Sequence, residues 1–111
     1  MSETVDDIEI SPREVQQMRA RGENFLLVDV REPWEHDAAR IEDSLLISLR
    51  EIPGNVSRLA GAGPIVLYCH HGIRSLDAAE WLRSQGIDRA RSMAGGIERW
   101  SAEVDPKVPR Y

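Results

Sequence analysis

Ile65-Val66-Leu67-Tyr68-Cys69-His70-His71-Gly72-Ile73-Arg74-Ser75 is the stretch on which the reading of the fold turns. An unbroken apolar run such as Ile65 to Tyr68 suits a strand buried on both faces, where the usual in-out alternation disappears. Beyond the polar loop, Ser75 to Gln85 reads as a helix. Ala78, Ala79 and Leu82 share one face, and Gly86 stands where a helix ends. A buried strand that feeds a helix through a short loop is the unit from which parallel sheets are built.

The same pattern recurs on either side. Phe25-Leu26-Leu27-Val28-Asp29-Val30 is a second continuous apolar run. Before it, Ser11-Pro12-Arg13-Glu14 is a helix start: serine caps, proline takes the first helical position and Glu14 completes a capping box. That helix is predicted to reach about Arg21, where Gly22 stops it. Ile8 to Ile10, Ser44 to Ser48 and Ala90 to Met93 supply three more strands. Glu32 to Ala38, Pro53 to Leu59 and Ile97 to Glu103 supply further helices. Strands alternating with helices predict an α/β fold with a central, mostly parallel five-stranded sheet flanked by helices. Residues 1–111 are expected to form a single domain with its core at about 8–103. Residues 1 to 7 are expected to fray, and Asp105 to Tyr111, with two prolines, to form an irregular tail.

Composition narrows the function classes. The chain has 111 residues and a formal charge of −5, so it lacks the basic footprint of a protein that binds nucleic acid or an anionic membrane. Its apolar runs are too short to span a bilayer. Met1 to Glu9 is acidic and shows no export-signal pattern, which points to a cytoplasmic protein. Cys69 is the single cysteine, so it forms no internal disulfide, and a cytoplasm keeps it reduced.

A lone cysteine is ordinarily a small buried hydrophobe. The surroundings of Cys69 argue for chemistry instead. In α/β sheets, sites lie at the carboxyl ends of the strands, and Cys69 follows Tyr68 directly. A helix N-terminus presents free N–H groups and the positive end of a dipole, and a loop curled over it can form an anion cradle. Gly72 gives that loop its turn, and Arg74 is expected to add a fixed positive charge. A thiolate at the bottom of such a bowl is favoured over the thiol.

Cys69 to Arg74 resembles the active-site loop of the rhodanese superfamily in its single-domain form. Asp29-Val30-Arg31-Glu32 with Trp34-Glu35 resembles the motif after that family's second strand. Ala94-Gly95-Gly96-Ile97-Glu98-Arg99-Trp100 resembles its C-terminal signature. The resemblance implies a rhodanese-like three-layer fold and a sulfurtransferase. Cys69 would take the outer sulfur of thiosulfate, or of a persulfide donor, and hold it as a persulfide. The loop residues His70, His71, Gly72, Ile73, Arg74 and Ser75 would bind it through their N–H groups. A thiophilic acceptor would then remove it: cyanide, or a thiol of glutathione, thioredoxin or a sulfur-accepting protein. This is ping-pong nucleophilic catalysis without cofactor or metal. The mercaptopyruvate-using branch resembles a different loop, with a small hydroxyl residue in place of Arg74, so thiosulfate, or a persulfide donor, is favoured over mercaptopyruvate. A monomer or weak dimer is expected.

Three rival readings are weaker. Cysteine-dependent phosphatases place five residues between cysteine and arginine, whereas here there are four, His70 to Ile73. A binding or regulatory module is disfavoured by the presence of both Cys69 and Arg74, although a sulfur relay to a partner protein stays open. A metal site from Cys69, His70 and His71 matches no familiar zinc spacing. Asp29 and Arg31 are read as structural supports, and the side chains of His70 and His71 as exposed. His36 is read as a surface residue, and Glu98, Arg99 and Glu103 as a solvated helix face. Where the family carries Gly-His-Ile-x-Gly-Ala before its third strand, this chain has Ala39-Arg40-Ile41-Glu42-Asp43-Ser44, so a differently shaped loop is expected there.

Overall fold

The computed structural model describes residues 7–111. Its elements follow the predicted alternation: β1 (Glu9–Ile10), α1 (Pro12–Ala20), β2 (Leu26–Asp29), α2 (Pro33–Ala38), β3 (Leu45–Leu46), α3 (Val56–Ala60), β4 (Ile65–Tyr68), α4 (Ile73–Ser84), β5 (Ala90–Met93) and α5 (Gly96–Glu103). The strands form one sheet in the order β1-β5-β4-β2-β3. Every pairing is parallel, so the sheet is wholly rather than mostly parallel. No described helix is long and apolar enough to cross a membrane.

The central strands sort their side chains by parity. Val28, Val30, Ile65, Leu67 and Cys69 join Ala78, Ala79 and Leu82 of α4 and Leu59 of α3 in one core. Leu27, Val66, Tyr68 and Met93 join Val15 of α1 and Ile97 and Trp100 of α5 in the other. Both faces are covered, which is why Ile65 to Tyr68 shows no polar alternation. Trp100 is buried, whereas Trp34 and Trp81 are exposed.

Three boundaries differ from expectation for local reasons. Helix α4 begins at Ile73, not Ser75, because Gly72 in a left-handed conformation (φ 98°) caps it. The cap is a backbone conformation, and no side-chain start signal announces it. The helix expected from Pro53 to Leu59 divides into a 3-10 turn at Pro53–Asn55 followed by the short α3, and a separate 3-10 turn at Leu49–Glu51 precedes it. Strand β3 shrinks to Leu45–Leu46, yet pairing persists past it through Ile47 N–H to Asp29 O (2.9 Å) and Leu49 N–H to Val30 O (2.9 Å). The fraying expected for residues 1 to 7 lies, Asp7 apart, outside the described residues.

Asp29 and Arg31 form a fully buried ion pair at the end of β2. Arg31 donates from Nε to Asp29 Oδ1 (2.8 Å), from Nη2 to Asp29 Oδ2 (2.7 Å), from Nη1 to Tyr111 Oη (2.7 Å), and from Nη2 to the Ala39 carbonyl. Burial opposes its charge, but the hydrogen bonds that Arg31 donates to Asp29 and Tyr111 prevail and hold it more firmly protonated than usual. His36 is not a free surface residue: its Nδ1 lies 2.8 Å from Asp29 Oδ2, and its side chain is only 14% exposed.

The divergent Ala39–Ser44 loop is tied down by Tyr68. The Tyr68 hydroxyl accepts from Ile41 N–H (3.2 Å) and lies 2.8 Å from Ser44 Oγ. Asp43 takes the left-handed conformation (φ 68°) for which glycine is the usual choice.

Arg31→Ala would leave Asp29 charged and buried without its guanidinium, and breaking such a pair costs about 3–5 kcal/mol. Urea unfolding is expected to show a loss of that size, and a midpoint equal to wild type would refute the structural assignment.

Candidate functional site

The carboxyl end of β4 delivers Cys69 into a loop that bends at Gly72 and enters α4. The thiol is almost completely buried, 1% exposed. Its Sγ receives hydrogen bonds from Gly72 N–H (3.1 Å) and Ser75 N–H (3.4 Å), and lies 3.5 Å from Ser75 Oγ. Ser75 Oγ in turn meets Ser92 Oγ of β5 at 2.7 Å. The sulfur therefore sits at the N-terminus of a 12-residue helix with two backbone donors aimed at it. Backbone N–H groups at a helix N-terminus form an anion-binding position.

The loop is held from behind by α5. Ile97 N–H donates to Cys69 O (2.9 Å) and Glu98 N–H to His70 O (3.1 Å). This close approach requires Gly96. A Cβ there would stand 2.4 Å from both the Cys69 and His70 carbonyl oxygens, and its φ of +63° favours glycine. Gly96 thus lets one helix dock onto the loop that opens another.

Arg74 lies beside the loop as a positive charge, and that charge is paired. Its Nη1 and Nη2 donate to Glu35 Oε1 (2.8 Å) and Oε2 (3.0 Å) as a bidentate pair. Glu35 also accepts from Glu32 N–H (3.0 Å) and from the Tyr111 hydroxyl (2.7 Å). The Arg74 hydrogen bonds, against the opposing effect of burial, hold the Glu35 carboxyl down at about 2. The same bonds keep Arg74 more firmly protonated than usual.

His70 departs from its expected exposure. It is part-buried, stacked between His71 (4.1 Å, 13°) and Tyr111 (4.1 Å, 17°). Its Nε2 lies 3.5 Å from Glu98 Oε1. Glu98 also accepts from Arg110 Nε (2.8 Å), so it is not part of a merely solvated helix face. His71 and Ile73 are exposed. The tail from Asp105 to Tyr111 is irregular as expected, yet it is fastened: Val108 is buried and accepts from Ser101 Oγ (2.6 Å).

Sequence reasoning thus missed Glu35, Glu98, Ser92 and Tyr111 as neighbours of the loop. Glu35 and Glu98 carried a signal, their places in the Asp29 to Glu35 and Ala94 to Trp100 motifs. Nothing local marks Tyr111.

The family model described as the rhodanese-like domain matches residues 11–103. The chain belongs to the rhodanese family. A sulfurtransferase of Allochromatium vinosum is 36% identical over 100 residues, covering 90% of this chain and 94% of that protein. The thiosulfate sulfurtransferase GlpE of Pseudoalteromonas translucida is 33% identical over 88 residues, 79% of this chain and 84% of GlpE. Several other curated relatives are longer proteins, of which this rhodanese domain spans between 23% and 30%. Among solved structures, a rhodanese-related protein from Thermoplasma volcanium superposes with a TM-score of 0.79 at 27% identity, covering 93% of this chain and 98% of that one.

Two outcomes are expected at this rhodanese loop. Gly96→Ala forces a left-handed conformation and a backbone clash, each costing about 1–3 kcal/mol, and denaturation should show a loss on that scale. Because the folded Glu35 carboxyl titrates at about 2, below its ordinary 4.5, its stabilisation is complete above pH 4.5 and is lost as pH falls toward 2. Unfolding followed against pH should therefore show a shallower acid loss in Glu35→Gln than in wild type.

Proposed function

We propose that this rhodanese-like sulfurtransferase domain moves sulfane sulfur from thiosulfate, or from a persulfide donor, to a thiophilic acceptor by way of Cys69. The observation that carries the reading is the convergence of the Gly72 and Ser75 N–H groups on the buried Cys69 Sγ. The GlpE relative, a thiosulfate sulfurtransferase, supports the choice of donor.

In the first half-reaction the Cys69 thiolate attacks the outer sulfur of thiosulfate. A new sulfur–sulfur bond forms, the old one breaks, and sulfite departs with its electron pair. The negative charge passes to the terminal sulfur of the persulfide. The helix dipole and the loop N–H groups from His70 to Ser75 stabilise that anion before and after transfer, so little reorganisation is needed. In the second half-reaction an acceptor thiolate or cyanide attacks the terminal sulfur and regenerates the Cys69 thiolate. Cys69 is the chain's single cysteine, so it cannot discharge the persulfide as an internal disulfide. The sulfur leaves to an outside nucleophile: glutathione, thioredoxin, a sulfur-accepting protein or cyanide.

Incubation with thiosulfate followed by intact-mass measurement is expected to show the gain of one sulfur atom, reversed by cyanide with release of thiocyanate. Cys69→Ser should show no gain while keeping its fold. A wild-type protein that gains no sulfur from thiosulfate or from a small persulfide would overturn the proposal.

A further inference from the structure

The segment after α5 carries no sequence motif, yet its last two residues reach the loop from outside. The Tyr111 hydroxyl accepts from Arg31 Nη1 (2.7 Å) and donates to Glu35 Oε2 (2.7 Å). Glu35 Oε2 is the same oxygen that receives Arg74 Nη2. The Tyr111 ring stacks on His70 and meets Trp34 edge to face (6.0 Å, 84°). Beside it, Arg110 pairs with Glu98, whose other oxygen faces His70 Nε2. Two tail residues therefore act on two loop residues, His70 and Arg74, through two intervening carboxylates.

We propose that Tyr111 is a positioning residue for sulfur transfer, fixing the Arg74 guanidinium through Glu35 and seating the His70 ring against the loop that carries Cys69. This rests on the sulfurtransferase reading above.

The Arg74 side chain is 35% exposed, whereas that of Glu35 is 5% exposed. A long, part-exposed guanidinium samples many rotamers unless its partner is itself immobile. Glu35 is made immobile by being shared: Glu32 N–H holds one oxygen and the Tyr111 hydroxyl holds the other. Tyr111 is in turn anchored to Arg31, whose side chain is fully buried against Asp29. The chain of bonds Asp29–Arg31–Tyr111–Glu35–Arg74 thus carries rigidity from the core to the rim of the loop. Groups that hold an active-site side chain in place this way act on substrate binding and orientation.

Tyr111→Phe keeps the ring contacts and removes only the hydroxyl, so it tests the hydrogen-bonded path. Persulfide formation is followed in single turnovers at increasing thiosulfate. The half-saturating concentration is expected to rise about tenfold, as for loss of one hydrogen bond to a charged group, with the limiting rate within about twofold of wild type. Tyr111→Ala also frees His70 and is expected to lower the limiting rate as well. In parallel, nitrogen NMR of the Arg74 guanidinium is expected to give separate Nη signals in wild type, because the bidentate pair restricts rotation, and merged signals in Tyr111→Phe. A Tyr111→Phe protein with wild-type half-saturation and unmerged Arg74 signals would overturn the inference while leaving the sulfurtransferase reading intact. A wild-type protein that takes no sulfur fails that reading first.

Discussion

A guanidinium buried without any exposed surface is the constraint around which this molecule is arranged. Arg31 could not remain charged in the interior without the Asp29 carboxylate on one side and the Ala39 carbonyl and Tyr111 hydroxyl on the others. Meeting those demands places three separate parts of the chain. Asp29 lies across from Tyr68 in the β2–β4 pairing, so the pair sits at the same level as the residue preceding Cys69. The Ala39 carbonyl draws in the loop after α2. Tyr111 brings the tail back over the site.

The charge pattern that results is one of cancellation. Glu35 neutralises Arg74 much as Asp29 neutralises Arg31. In the proposed reaction the cysteine and its sulfur are therefore stabilised chiefly by nearby dipoles, the Gly72 and Ser75 N–H groups and the start of α4, rather than by an unpaired cation. Dipoles fixed by the backbone do not move when charge shifts from a thiolate to a persulfide one bond away, which suits a site that holds both. Fixing that loop falls to α5, whose first N–H groups hold the Cys69 and His70 carbonyls across the gap that Gly96 leaves open.

Much of this could be read from the chain. The apolar run Ile65 to Tyr68 identifies a strand covered on both faces, and the loop from Cys69 to Ser75 marks the carboxyl end of the sheet, where the candidate site lies. Asp29 and Arg31 read correctly as supports, because a carboxylate at the end of a buried strand needs a cation nearby. The reading failed where a cap consists of backbone conformation alone, as at Gly72. It failed also where exposure depends on a partner in another element, as for His36 and His70.

Sequence alone determined the alternation of strands and helices and the place of Cys69 and Gly72 in the loop after the fourth strand, because these are set by local periodicity and by which residues tolerate a given turn. Tertiary structure alone decided the charge state of the rim and the company of the loop. Arg74 finds Glu35 across 39 positions, and Tyr111 finds Glu35 across 76. Contacts at such separations are created by the folding of a parallel sheet, which brings the ends of successive strands to one edge, and no pattern of neighbouring residues encodes them.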